Sequence, residues 1–380
     1  MNVGSGGFLF SRARVPLLVP RLPDTVKIVP YLRRIDAERW YSNFGPLWWE
    51  FREALEARLY VQTGASEIHV AFTTSGTCAI ELALRCRALR GRRYCLMPSF
   101  TFVATAHAVC NAQLIPYLVD VDPRSFVLTP DIARRALRRL PEQPAAVLVV
   151  SAFGAPPDIL GWQAFERDEG IPVVFDAAGA TTSLDRIGAQ PVAISLHATK
   201  TLGIGEGGAV ISANPALIER ITAMTAFGCF SGSRTSEVRG GNYHISEYAA
   251  AIGLAALGGL DDKISKLRDV TMQYRERLAN SSLELQDGIG ERWVSGTLNV
   301  LMPEDRLAGA LGRFDSAGVE WRRWWGLGCH THPAFESAPA LELPITTDVA
   351  PRLIGVPCHT ELDPAQIDVV CDLLLSPKMA

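Results

Sequence analysis

Ser195-Leu196-His197-Ala198-Thr199-Lys200-Thr201-Leu202-Gly203-Ile204-Gly205-Glu206-Gly207-Gly208 sets one lysine among small and polar residues, ahead of a glycine-rich turn and the apolar run Ala209 to Ser212. A lysine so placed is either a solvated charge on a loop or an amine held for chemistry. The glycines fit the Gly-x-Gly-x-x-Gly spacing of a dinucleotide loop, but that loop needs a strand before it and a helix after it. Here the residues that follow read as a strand. The glycines therefore predict a tight turn that lets the chain leave Lys200 and re-enter a sheet.

Outward from this stretch, short apolar runs alternate with stretches of helical period. Val70-Ala71-Phe72-Thr73-Thr74-Ser75-Gly76-Thr77 ends in small hydroxyl residues and leads into a helix through Ile80, Leu84 and Leu89. Such a helix start presents free backbone N–H groups and hydroxyls at its positive end, where they either cap the helix or bind a phosphate. Further apolar runs cover Tyr94 to Pro98, Leu114 to Val121, Ala146 to Val150 and Pro172 to Phe175, with helices over Phe102 to Asn111, Pro130 to Leu140 and Leu160 to Glu169. This alternation predicts an α/β fold with a mainly parallel central sheet flanked by helices. Ligands of such sheets sit at the carboxyl ends of the strands. Asp176 directly follows the run Ile171 to Phe175 and precedes only small residues, so its carboxylate is either a turn cap or faces that cleft.

Residues 1–45, rich in Gly, Pro and Arg, show little periodicity and read as an N-terminal arm closed by Asn43-Phe44-Gly45-Pro46. Residues 46–257 read as a large domain, opening on an amphipathic surface helix through Leu55 and Leu59 and ending in the alanine-rich helix Tyr248 to Leu257. Residues 258–380 hold a bridging amphipathic helix through Leu260, Ile264, Leu267, Tyr274 and Leu278, then a smaller α+β domain with a strand over Val294 to Leu301 and a closing helix over Asp363 to Leu375. A chain of 380 residues has apolar surface enough for two such cores.

With 37 basic and 40 acidic residues the formal charge is -3, which leaves no field to attract nucleic acid or a membrane surface. Eight cysteines without a Cys-x-x-Cys pair fit buried thiols in a reducing compartment. Cys329-His330-Thr331-His332 and Cys358-His359 lack the usual zinc spacings, so no metal is expected. The run Val15 to Pro20 is broken by prolines and too short to span a bilayer, and a soluble cytoplasmic protein is the expectation.

Together the chain offers a phosphate cradle at Ser75 to Cys78, an aromatic at Phe102, a strand-end carboxylate at Asp176, and Lys200 with Ser195 nearby. These are the parts that hold pyridoxal 5'-phosphate (PLP): an amine for its aldehyde, a carboxylate that keeps the ring nitrogen protonated, and an aromatic face for the ring. In order and wording, Ser75-Gly76-Thr77, Pro98-Ser99-Phe100-Thr101-Phe102-Val103-Ala104-Thr105, Asp176-Ala177-Ala178, Ser195 to Lys200 and Gly205 to Gly208 resemble the DegT/DnrJ/EryC1/StrS family of PLP-dependent sugar aminotransferases, which have the aspartate aminotransferase-like fold type I. The resemblance covers nearly the whole chain from Asn43 onward, more loosely in the C-terminal part. It implies that Lys200 bonds the cofactor and shuttles the proton, that Asp176 binds the pyridine nitrogen, and that Phe102 stacks on the ring. It further implies that Gly76, Thr77, Cys78 and Ser195 hold the phosphate, and that Asn242 reaches the cofactor of a partner subunit in a homodimer with shared active sites.

Two positions depart from the family pattern. Gly179 stands where Gln or His is usual, and His244 where Arg is usual after Asn242-Tyr243. The implied reaction moves the amino group of an amino acid, L-glutamate foremost, onto a 3- or 4-keto-6-deoxyhexose linked to a nucleotide. A cyclitol or other cyclic ketone is the alternative acceptor. Arg322, Arg323, Trp324 and Trp325, with His330, either meet this substrate or form a packed surface of the small domain. A dehydratase of the same family carries His in place of the cofactor lysine, and a non-catalytic relative would lack Lys200 or Asp176; both residues are present.

Overall fold

The apolar runs become strands whose successive side chains leave on opposite faces, and both faces are covered. The computed structural model describes residues 15–230 and 232–376, so residues 1–14 of the arm and 377–380 of the C-terminal part lie outside the described residues. The first half of the chain runs α1 (Thr25–Glu38), α2 (Pro46–Thr63), β1 (His69–Thr73), α3 (Gly76–Arg87), β2 (Tyr94–Pro98), α4 (Val103–Asn111), β3 (Ile115–Val119), α5 (Pro130–Leu137), β4 (Ala146–Val150), α6 (Ile159–Glu169) and β5 (Val173–Asp176). It continues with β6 (Val192–Ser195), β7 (Gly208–Ser212), α7 (Pro215–Thr225), α8 (Glu247–Leu257) and α9 (Leu260–Leu278). The C-terminal part holds β8 (Glu284–Leu285), β9 (Leu298–Leu301), α10 (Glu304–Ala317), α11 (Pro344–Arg352), β10 (Leu353–Val356) and α12 (Pro364–Leu375).

Seven strands form one sheet in the order β1-β7-β6-β5-β4-β2-β3. The pairs from β6 through to β3 are parallel, whereas β7 runs antiparallel to both β6 and β1. The expected α/β fold with a mainly parallel sheet is therefore present. Along β4, Val147 and Val149 enter one core cluster and Ala146 and Leu148 the other; β5 divides Val173 and Phe175 from Val174 in the same way. Each face packs under helices, which is why these strands read as unbroken apolar runs.

On one face α2 lies against α8. A β-carbon at Gly253 of α8 would come within 2.4 Å of the Phe51 ring, so this glycine sets the close approach of the two helices. The Glu247 carboxylate, at the start of α8, accepts hydrogen bonds from the N–H groups of Leu47 and Trp48 at 2.8 Å each and so caps α2 from outside it.

The small three-stranded antiparallel sheet, in the order β10-β9-β8, packs with α9, α10 and α12 around Tyr274, Leu298, Val300, Phe314 and Ile354. Tyr274 donates its hydroxyl to the Pro357 carbonyl at 2.9 Å. The preceding chain is tied to this part: Val15 pairs with Val319, and the Leu17 N–H donates to Glu320 at 3.0 Å.

Several elements differ from the sequence reading. Thr25–Glu38, read as irregular arm, is helical and buries Ile35, its few apolar contacts having masked the period. The alanine-rich helix and the bridging helix are α8 and α9, parted at Gly258-Gly259 where the sequence reading ended the first and began the second. Strand β6 is only four residues long and passed unread, as did α10, α11 and β10; the strand read over Val294 to Leu301 is confined to Leu298–Leu301.

Candidate active site

The carboxyl ends of the parallel strands converge on one cavity of about 500 Å³. Asp176 is the last residue of β5 and Ser195 the last of β6. Because β7 runs the other way, its first residue, Gly208, pairs with both Ser195 and Thr73, the last residue of β1. One strand start thus brings the end of β6 next to the beginning of α3.

That helix start is built for an anion. Ser75 caps α3 by accepting the Cys78 N–H at 3.1 Å, which leaves the N–H groups of Gly76 and Thr77 ahead of any intrahelical acceptor. A β-carbon on Gly76 would lie 2.9 Å from Cβ of Ser195, so only glycine lets β6 and α3 close into a cradle here.

Asp176 is buried at 5 % exposure, yet each of its carboxylate oxygens accepts a hydrogen bond. Oδ2 accepts the Thr105 hydroxyl at 2.7 Å, and Oδ1 accepts the Ala178 N–H at 3.1 Å. Burial pushes the Asp176 carboxyl above its ordinary value, against the pull of Thr105, Ala178 and the charge of Lys200. Burial likewise pushes the Lys200 amine below its ordinary value, while Asp176 draws it up. Two opposite groups whose protonation is shifted, in one cavity, mark a candidate functional site.

Of the residues singled out from sequence, the cavity gathers Gly76, Thr77, Phe102, Asp176, Ser195 and Lys200. Arg322, Trp324 and Trp325 reach it from the C-terminal part. Phe102, which precedes α4, is 55 % exposed and presents its ring to solvent at the cavity. Four residues lie elsewhere. Cys78 commits its N–H to the Ser75 cap, and Asn242 is exposed on the segment that bridges to Ala226. Arg323 donates to the Pro351 carbonyl at 2.9 Å, and His330 Nδ1 meets the Ser99 hydroxyl at 2.8 Å. Cys329 and Cys358 are buried in separate clusters.

Other lining residues went unread. Ser151 and Phe153 follow β4, where the strand-end rule would have pointed to them, and Thr105 lies one helical turn beyond Phe102. Ser295, Gly296 and Thr297 come from the C-terminal part and carried no local signal. Phe153, in a left-handed conformation at φ 53°, stacks on Trp325 with ring centroids 3.7 Å apart and planes at 12°. His197 Nδ1 accepts the Thr199 N–H at 3.2 Å, and its Nε2 lies 3.6 Å from Glu206.

Known proteins resemble this chain in sequence and in fold. The DegT/DnrJ/EryC1/StrS aminotransferase family profile matches residues 24–375. Protein Rv3402c of Mycobacterium tuberculosis is 30% identical over 367 residues, covering 93% of this chain and 88% of its own. The Escherichia coli dTDP-4-amino-4,6-dideoxy-D-glucose transaminase is 28% identical over 272 residues, 70% of each chain. The crystal structure of DesI in the presence of its TDP-sugar product superposes with a TM-score of 0.81 at 28% identity, covering 94% of this chain and 92% of DesI. With its fold and a family match over residues 24–375, the chain belongs to the DegT/DnrJ/EryC1/StrS aminotransferase family.

Proposed function

We propose that this aminotransferase binds PLP in the cavity and transfers the amino group of L-glutamate to a nucleotide-linked keto-deoxysugar. The observation that carries the reading is the presence of Lys200, Asp176 and the open α3 start in one cavity. The residues fit the cofactor: the Gly76–Ser195 cradle admits no side chain but offers N–H groups to a phosphate, and the buried Asp176 is an anion suited to a ring N–H. Relatives that act on sugar nucleotides, by their names, support the acceptor.

When bound, PLP supplies an electron sink for the charge left as the Cα–H bond of the amino acid breaks. Lys200 takes that proton and returns it on the other side of the transfer. Burial lowers its proton affinity, which serves this role, since an amine that yields its proton more readily can act as both base and acid. Asp176 holds the ring nitrogen by charge, Phe102 offers a stacking face, and the first turn of α3 with Ser195 orients the phosphate. Arg322, held 5.1 Å over the Trp324 ring, supplies a cation at the outer wall for an anionic part of either substrate.

A homodimer completes this reading. Trp40, Tyr41, Trp49 and Tyr248 are exposed, with Tyr41 and Tyr248 stacked, and such a set of aromatics on α2, α8 and the loop before α2 suits an interface between copies. Among the described residues no helix is long and apolar enough to cross a membrane.

The test is to load the protein with PLP, reduce with borohydride and map the modified peptide, then offer L-glutamate with a panel of nucleotide ketosugars and cyclic ketones. Label on Lys200 and 2-oxoglutarate release with a ketosugar nucleotide are expected. Release only with a non-nucleotide cyclic ketone overturns the acceptor, and label absent from Lys200 overturns the site.

A further inference from the structure

We propose that Thr105 and Thr101 are positioning residues for Asp176, forming a two-hydroxyl chain that fixes the direction and the ionised state of its carboxylate. The proposal rests on the PLP reading above. Thr105 Oγ1 lies 2.7 Å from Asp176 Oδ2 and Thr101 Oγ1 lies 2.8 Å from Thr105 Oγ1, with all three residues buried.

The proton order in this chain follows from counting donors. An ionised carboxylate only accepts, so the single hydroxyl proton of Thr105 goes to Asp176. The oxygen of Thr105 is then free to accept, and the Thr101 hydroxyl supplies its proton. Both hydroxyls therefore point their protons toward the carboxylate, and each strengthens the next. A protonated Asp176 would face a donor with a donor at Oδ2, so the chain disfavours that form.

The geometry also limits how the carboxylate can turn. Thr105 holds Oδ2 from α4 while the Ala178 N–H holds Oδ1 from the loop after β5, at 3.1 Å. Each oxygen keeps a further acceptor site, so the group remains open to a ring nitrogen without losing either anchor. Burial works in the opposite direction, against the charge. At this desolvated strand end the Thr105 hydroxyl, backed by Thr101, acts with the Ala178 N–H and the charge of Lys200 to favour the anion.

The test uses the full-length protein and the variants Thr105→Val, Thr105→Ser and Thr101→Val, each checked for folding by circular dichroism. Aspartate is labelled with ¹³C at the carboxyl carbon, and the resonance absent from Asp176→Asn is followed against pH without PLP. Thr105→Val is expected to raise the midpoint by about 1 pH unit, Thr101→Val by less, and Thr105→Ser to restore it. Loaded with PLP, Thr105→Val should bind about tenfold more weakly and carry its cofactor absorbance transition at a shifted pH. An Asp176 midpoint unchanged in Thr105→Val overturns the proposal, and where that variant does not fold, an unchanged midpoint in Thr101→Val does so. Failure of the wild-type protein to bind PLP would instead overturn the cofactor reading, while the titration without PLP still decides the role of the hydroxyls.

Discussion

A β-carbon on Gly208 would lie 2.4 Å from the carbonyl carbon of Ser75 and 2.6 Å from the Gly76 nitrogen, both main-chain atoms that cannot rotate away. Gly208→Ala should therefore push on the α3 start, costing about 1–3 kcal/mol of stability and weakening PLP binding. Gly179 differs: its β-carbon would meet main chain at 3.5 Å or more, in ordinary contact, at a backbone conformation open to any residue. Gly179→Ala should be neutral or stabilising by up to about 1 kcal/mol. Urea unfolding of the two variants separates them, and equal losses would count against the cradle. The glycines after Lys200 were legible in the sequence as a turn, and Gly205, at φ 99°, makes it. That Gly208 presses on Ser75 was not, because the contact joins residues far apart in the chain. Asp176 could be read because it follows the apolar run Ile171 to Phe175, and Lys200 because a glycine-rich turn and the apolar run from Ala209 come after it, whereas Thr105 sits inside a helix where its hydroxyl gives no pattern.

Two helices of this fold are capped by carboxylates that belong to other elements. Glu247 serves α2, and Asp120, just after β3, accepts the N–H groups of Ile345 and Thr346 at 2.7 and 2.8 Å at the start of α11. Neither helix has a side-chain cap of its own. Asp363 and Gln366 open α12 with a capping box within its own first turn, and the sequence reading began that helix at Asp363; the remote caps leave no such local mark. The nine-residue α11, with Pro344 at its start and Pro351 near its end, lacks both a local cap and a long period, which is why it passed unread. Glu247→Gln replaces one of two acceptor oxygens by an NH₂ group facing an N–H, and should cost about 1–3 kcal/mol. Burial holds the Glu247 carboxyl above its ordinary 4.5, against the hydrogen bonds from Leu47 and Trp48. Between 4.5 and that raised value the folded protein binds more protons at this site than the unfolded chain, so its contribution to stability falls as pH rises. Urea unfolding at a series of pH values should show this slope in the wild type and its loss in Glu247→Gln.

Across the whole molecule, contacts around the cavity join the large sheet to the C-terminal part. The Gln286 side chain donates to the carbonyls of Ser125 and Ala152, and Trp325 stacks on Phe153 beside them. Trp325→Ala removes the stack, worth about 0.5–1.5 kcal/mol, and should raise KM for the acceptor about three- to tenfold while PLP affinity stays within about twofold. Steady-state kinetics with a PLP titration check this; a loss of PLP affinity as large as the rise in KM would refute it. The alternation of strands and helices made the large sheet legible, but the C-terminal part, with short strands and contacts to the N-terminal segment, carried no comparable rhythm. The order of the large sheet also has a consequence for how the protein is made. β1 emerges from the ribosome early, yet among the described residues its only partner in the sheet is β7, which is synthesised after every other strand of that sheet. Thr73 and Ser75 stay beside an unpaired edge until Gly208 arrives, so the contact of the α3 start with β7 is among the last parts of the large sheet to form.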